Sequence, residues 1–159
     1  MANLQNTTVQ GSVTLPDDID IAGRLSKPNL PMIDVSKSNG GGCFSSTGPV
    51  PFNVIFVNNG GFSITNSNSR FTVPEDGIYW VGFWTIGHNN CGSTGRVRLR
   101  VNGSNTSEAR SDSGIRYGNC YAYRLFNLSE GDYIEANMSS SFIYFAATQY
   151  NRFVIFKVT

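Results

Sequence analysis

Arg96-Val97-Arg98-Leu99-Arg100-Val101-Asn102-Gly103 is the stretch that decides the fold class. Its first six residues alternate, so a period of two sets three arginines on one face of a strand and three aliphatic side chains on the other. Asn102-Gly103 then supplies a hairpin signal, because both residues accept the positive φ that a two-residue turn demands. Upstream, Pro74-Glu75-Asp76-Gly77 makes a tight turn into Ile78-Tyr79-Trp80-Val81-Gly82-Phe83-Trp84-Thr85-Ile86. That segment is apolar at both parities and is expected to be buried on both sides.

Further strands are expected over Phe52 to Val57, Phe62 to Ile64 and Arg70 to Val73. Downstream, Tyr117 to Leu128 and Tyr133 to Met138 are joined by Ser129-Glu130-Gly131-Asp132, and the chain closes in Phe142 to Phe145 and Arg152 to Val158. Short aromatic strands at this spacing, with no convincing helical stretch between them, predict an all-β chain, an antiparallel jelly-roll β-sandwich.

Composition agrees. The chain has three Lys, four Glu, seven Leu and seven Ala against 11 Phe, seven Tyr and 17 Gly, which disfavours helices. Its 159 residues fit one domain, and 40% hydrophobic with 14% charged residues excludes a disordered chain. Twelve basic and 11 acidic residues leave a formal charge of +1, so no long-range field gathers nucleic acid or an anionic membrane. No apolar run approaches the roughly 20 residues of a membrane-spanning helix. Met1-Ala2-Asn3-Leu4-Gln5-Asn6 lacks the basic and apolar regions of a secretory signal, so the expectation is either a mature chain or one that never used that export route.

Residues 1–30 differ from the rest. No aromatic residue occurs before Ser38, Asp17, Asp18 and Asp20 cluster, and prolines stand at 16, 28 and 31. Short alternations carry Val9, Val13, Leu15, Ile19 and Ile21, too brief to bury much alone. The segment reads as an extended N-terminal arm that attaches by adding short strands to a neighbour, with those five side chains as its anchors. The jelly-roll domain is expected over residues 31–159, with Gly40-Gly41-Gly42 as a hinge.

Chemistry is sparse. The sole histidine, His88, sits in a polar loop, and with no second histidine and with Cys43 and Cys120 distant it reads as a loop residue rather than a metal ligand. No Gly-x-Ser-x-Gly elbow or recurring His/Cys arrangement marks a nucleophile. Glu130 and Asp132 flank Gly131 in one turn and read as turn residues rather than a glycosidase pair. Asp17, Asp18 and Asp20 lack the glycine and distal glutamate of a helical-hand calcium loop. Cys43, Cys91 and Cys120 are too few for a disulfide framework; reduced thiols are the favoured reading, and one pair with a free thiol stays open. The Asn-x-Ser/Thr triplets at Asn6, Asn102, Asn105, Asn127 and Asn137 matter only in a eukaryotic secretory pathway. No catalytic residue, cofactor or metal is expected. Arg96, Arg98 and Arg100 form a candidate row for an acidic glycan or an acidic patch on a partner, read first as a solvated sheet face that Glu108, Asp112 and Glu135 neutralise.

The order of these signals resembles the C1q and tumour-necrosis-factor-like jelly roll. The matching pieces are Arg70 to Tyr79, Val97 to Gly103, Leu128-Ser129-Glu130-Gly131-Asp132-Tyr133 and the closing strand around Phe153, and the resemblance covers roughly Pro31 to Thr159. It implies a homotrimer, three jelly rolls around an axis with apolar and aromatic side chains between subunits. Leu25-Ser26-Lys27-Pro28-Asn29-Leu30-Pro31 is similar to the lead-in of C1q-like virion proteins of tailed bacteriophages, and Met1 to Thr14 to the starts of phage fibre and decoration proteins. Collagen-like Gly-X-Y repeats are absent, unlike in many animal members. The expectation is a non-enzymatic virion protein, a capsid decoration or cement protein or a fibre component. It would be assembled in the host cytoplasm and bound to other virion proteins through its arm. The alternative is an extracellular recognition module for a glycan or receptor.

Overall fold

The computed structural model describes residues 30–38, 47–87, 94–112, 118–138 and 147–159. Eleven strands run through them in chain order: β1 (Met32–Ser36), β2 (Gly48–Pro49), β3 (Val54–Asn59), β4 (Ser63–Thr65), β5 (Arg70–Thr72), β6 (Gly77–Ile86), β7 (Thr94–Val101), β8 (Ser104–Asp112), β9 (Asn119–Leu128), β10 (Tyr133–Met138) and β11 (Asn151–Lys157). A short 3-10 turn, Thr148–Tyr150, leads into β11.

The strands form two antiparallel sheets. One has five strands in the order β3-β1-β11-β6-β9; the other runs β4-β5-β10-β7-β8, with β2 also paired to β10. The first and last strands lie side by side, Ile33 opposite Ile155 and Val35 opposite Phe153. Such non-consecutive pairing is the jelly-roll arrangement, and the expected fold class is borne out.

The turns follow their residue types. At the β7–β8 hairpin φ is +49° at Asn102 and +81° at Gly103, the positive pair that a two-residue turn uses. The Asn102 amide donates to Asp132 (2.7 Å) and its carbonyl oxygen accepts the Tyr133 N–H (3.0 Å), which ties this hairpin to the β9–β10 turn.

Between the sheets lies an aromatic core. Phe153 stacks on Phe52 (5.4 Å, 9°), is tilted against Phe71 (5.4 Å) and meets Phe83 edge-on (6.1 Å). Ile33, Val35, Val81, Leu99, Ile134 and Ile155 close around them, all fully buried. Each fully buried ring contributes roughly 1.5–3 kcal/mol of transfer free energy, so this quartet anchors the sandwich.

Several expectations change in detail. β6 is not buried on both sides: Tyr79, Val81, Phe83 and Thr85 enter the core, while Ile78 and Trp84 stay exposed on the opposite face. The reason is that helices or a third layer would be needed to cover the second face, and the chain supplies two sheets only among the described residues. Phe52 belongs to the core but precedes β3, which starts two residues later and runs on to Asn59. β8, over Ser104–Asp112, is the second strand of the hairpin that Asn102-Gly103 signals; its polar sequence has no strand pattern of its own, and its pairing with β7 draws it in. The expected strand over 142–145, the start of β9 at 117, the glycine hinge and the arm fall outside the described residues.

Candidate functional site

The two outer faces of the sandwich differ in chemistry. On the six-stranded sheet the outward positions are polar. Glu135 is 2% exposed, held by Arg70 (Nη2 to Oε1, 3.1 Å) and by Arg100 (Nη1 to Oε2, 3.7 Å). The Arg70 guanidinium lies 3.8 Å from the centre of the Tyr133 ring, and Arg100 also donates from Nε to the Gly103 carbonyl (2.9 Å). Arg98 stands opposite Asn137, and Arg96 is exposed further along β7. The arginine row therefore lies on one face as its alternation requires, and its Arg100 end is spent on a buried carboxylate.

On the five-stranded sheet the outward positions are apolar and aromatic. Register across β11, β6 and β9 gives three successive rows: Arg152-Trp84-Tyr121, Val154-Gly82-Tyr123 and Phe156-Trp80-Leu125. Trp80 stacks on Phe156 (5.3 Å, 21°) and covers Gly82, where a Cβ would overlap the indole. Tyr121 and Tyr123 stack on each other (6.0 Å, 16°) along β9 and are 58% and 62% exposed. β1 extends the face with Met32 beside Phe156 and Asp34 beside Val154. On β3 the pairing shifts between Asp34 and Val35, a bulge that re-aims the edge strand and leaves Ile55 and Phe56 half exposed.

One ion pair sits within this face. Arg152 makes a two-pronged contact with Asp34, Nε to Oδ1 at 2.8 Å and Nη2 to Oδ2, and its guanidinium lies 4.2 Å from the centre of the Phe56 ring. Asp34 is nearly buried, and the planar fork matches the carboxylate bidentately.

The other sequence candidates separate. Val9, Val13, Leu15, Ile19, Ile21, the acidic cluster at Asp17, Asp18 and Asp20, His88, Cys43 and Cys91 lie outside the described residues. Cys120 is buried on the core side of β9. Asp132 and Glu130 are turn residues: Asp132 Oδ2 accepts the Ser129 N–H (2.9 Å), and the Glu130 N–H donates to Asp76 Oδ1 (2.7 Å). Among the described residues no group of three or more His, Cys, Asp or Glu is placed to hold a metal, and no helix is long and apolar enough to cross a membrane. The aromatic face has no motif that names it residue by residue. Its signal is present at Asn119-Cys120-Tyr121-Ala122-Tyr123, where large rings alternate with small side chains, the large ones outward.

No protein-family model and no curated protein matches the chain. Crystal structures of murine APRIL are similar to it. The structure at pH 8.0 superposes with a TM-score of 0.63 at 15% identity, covering 80% of this chain and 98% of that one. The structure at pH 5.0 gives 0.63 at 16% identity, with 81% and 99% covered, and that at pH 8.5 gives 0.61 at 16%, with 80% and 98%. At this identity the likeness is one of fold, a TNF-like jelly-roll sandwich spanning nearly the whole of each of those chains.

Proposed function

We propose that this chain is a non-enzymatic C1q/TNF-like module that works as a homotrimer, with the outward face of the five-stranded sheet between subunits. The observation that carries the reading is the placement of the exposed large hydrophobic side chains. Phe56, Ile78, Trp84, Tyr121, Tyr123 and Leu125 all lie on strands of that sheet, Val158 follows directly on β11 and Leu30 stands just before β1, while Ile55, opposite the core residue Val35, is exposed at the sheet's edge. A contiguous apolar face of this kind on a folded domain marks an association surface, and aromatic residues lead the composition of such surfaces. The polar outer face of the other sheet remains for solvent and for partners.

The setting we propose is a tailed-phage particle. Residues 1–30, with Val9, Val13, Leu15, Ile19 and Ile21 as anchors, fasten the trimer to other virion proteins by strand addition, as capsid decoration or fibre component. The support for this setting is the sequence resemblance of the lead-in and arm. A second reading, a free module that recognises a glycan or receptor, draws on the arginines of β7 beside a polar sheet face.

The test is the solution mass by light scattering of the full chain, of a chain beginning at Pro31, and of Tyr123→Glu with Leu125→Glu. The full chain is expected at three times the monomer mass and the double variant at the monomer mass. Attachment to phage particles lacking this protein is expected from the full chain and lost from the shortened one. A monomeric full chain overturns the trimer; attachment that survives removal of the arm moves the reading to the free module.

A further inference from the structure

At each of its two sides the apolar face carries polar groups that water serves now and that would lose that partner if the face were covered. On the β1–β11 side, Arg152 uses Nε and Nη2 on Asp34 and stacks against Phe56, while its Nη1 donates to none of the described residues. A guanidinium has five N–H donors and no way to shed its charge, so covering it with apolar side chains alone leaves charged donors out of water. On the β9 side, the Tyr121 and Tyr123 hydroxyls make no hydrogen bond among the described residues, and both rings are more than half exposed. Burying them would leave phenolic oxygens without a partner as well.

Contacts in a cyclic trimer are heterologous: one patch of each copy meets a different patch of the next. The face is built for that, because its cationic donor and its phenolic acceptors stand on opposite sides of Trp84 rather than together. Resting on the trimer reading above, we infer that Arg152 of each subunit donates from Nη1 to a tyrosine hydroxyl, Tyr121 or Tyr123, of the neighbouring copy, and that this bond fixes the register of the assembly. Asp34 is a positioning residue in this arrangement. It holds Nε and Nη2 of the guanidinium beside the Phe56 ring, which leaves Nη1 outside the ion pair. The Asp34–Arg152 pair neutralises itself before association, so the face needs no charged partner and suits a second copy of this chain. An apolar surface alone would tolerate sliding, and a single polar contact in it selects one alignment.

The experiment measures trimer dissociation by sedimentation across a dilution series. The variants are Tyr121→Phe with Tyr123→Phe, Asp34→Leu with Arg152→Leu, and the four changes combined, each with far-UV circular dichroism as the fold control. The phenylalanine variant removes two exposed oxygens and nothing else, so the sandwich is retained. It is expected to dissociate at least tenfold more readily than the unaltered chain. The combined variant is expected to be no weaker than the leucine pair alone, since the shared bond is already gone. A phenylalanine variant that associates like the unaltered chain, or effects that simply add, overturns the inference while leaving the trimer intact. An unaltered chain that is monomeric throughout instead overturns the trimer reading itself.

Discussion

The Tyr79 phenol is buried in β6 and donates to the Glu75 carbonyl oxygen at 2.8 Å. Burial pushes its pKa from 10.0 up to about 12, and the neighbouring Glu75 carboxylate adds to the rise, because ionisation would set a phenolate out of water beside an anion. The folded state thus holds this proton more tightly than the unfolded chain. The stabilisation is complete below pH 10, where both states keep the proton, and is lost as pH rises from 10 towards 12. Tyr79→Phe is expected to cost about 1 kcal/mol at neutral pH through the lost hydrogen bond, and to flatten this alkaline loss. Urea unfolding midpoints at pH 7, 9.5 and 11 check both parts; parallel pH profiles for the two proteins would refute the account. Nothing in Gly77-Ile78-Tyr79 announces the raised pKa, since it depends first on the burial of the phenol between the sheets and then on the neighbouring Glu75 carboxylate.

At the scale of elements, the β7–β8 hairpin and the β9–β10 turn act as one unit. Asn102 supplies a left-handed backbone conformation and bonds through both ends of its amide to Asp132 and Tyr133. Asn102→Ala places a Cβ-bearing residue without a local hydrogen bond at that φ and releases both contacts. It is expected to lower stability by about 1–2 kcal/mol, read as a drop in thermal midpoint, with the solution mass the same as that of the unaltered chain because the turn lies away from the aromatic face. A larger loss of mass than of stability would show that the turn belongs to the interface. The hairpin itself was legible from Asn-Gly and strict alternation. Its strap to Asp132 was not, because it joins residues 30 apart in sequence.

For the whole molecule, the proposed trimer, with the aromatic outer face between subunits, would make folding and assembly a coupled equilibrium. If the aromatic face is covered only in the trimer, raising the protein concentration stabilises the folded state by mass action. The thermal midpoint of the unaltered chain is expected to rise by several degrees over a hundredfold increase in concentration, while that of Tyr123→Glu with Leu125→Glu stays constant. Calorimetry at two concentrations decides it, and a concentration-independent midpoint for both would count against an interface on this sheet.

The class of fold and most strand positions are legible in the chain's own residues, because alternation, turn residues and aromatic content act locally and are written in neighbouring positions. Arg96 to Gly103, Tyr133 to Met138 and the Pro74-Glu75-Asp76-Gly77 turn are examples. Which face of an apolar strand enters the core depends on the packing of one sheet against the other. Ile78 to Ile86 is apolar at both parities, so its own residues cannot say which side meets Phe153 and which side stays open. The same holds for the ion pair: Asp34 and Arg152 are 118 residues apart, and only the pairing of the first strand with the last brings them together in the middle of an aromatic face.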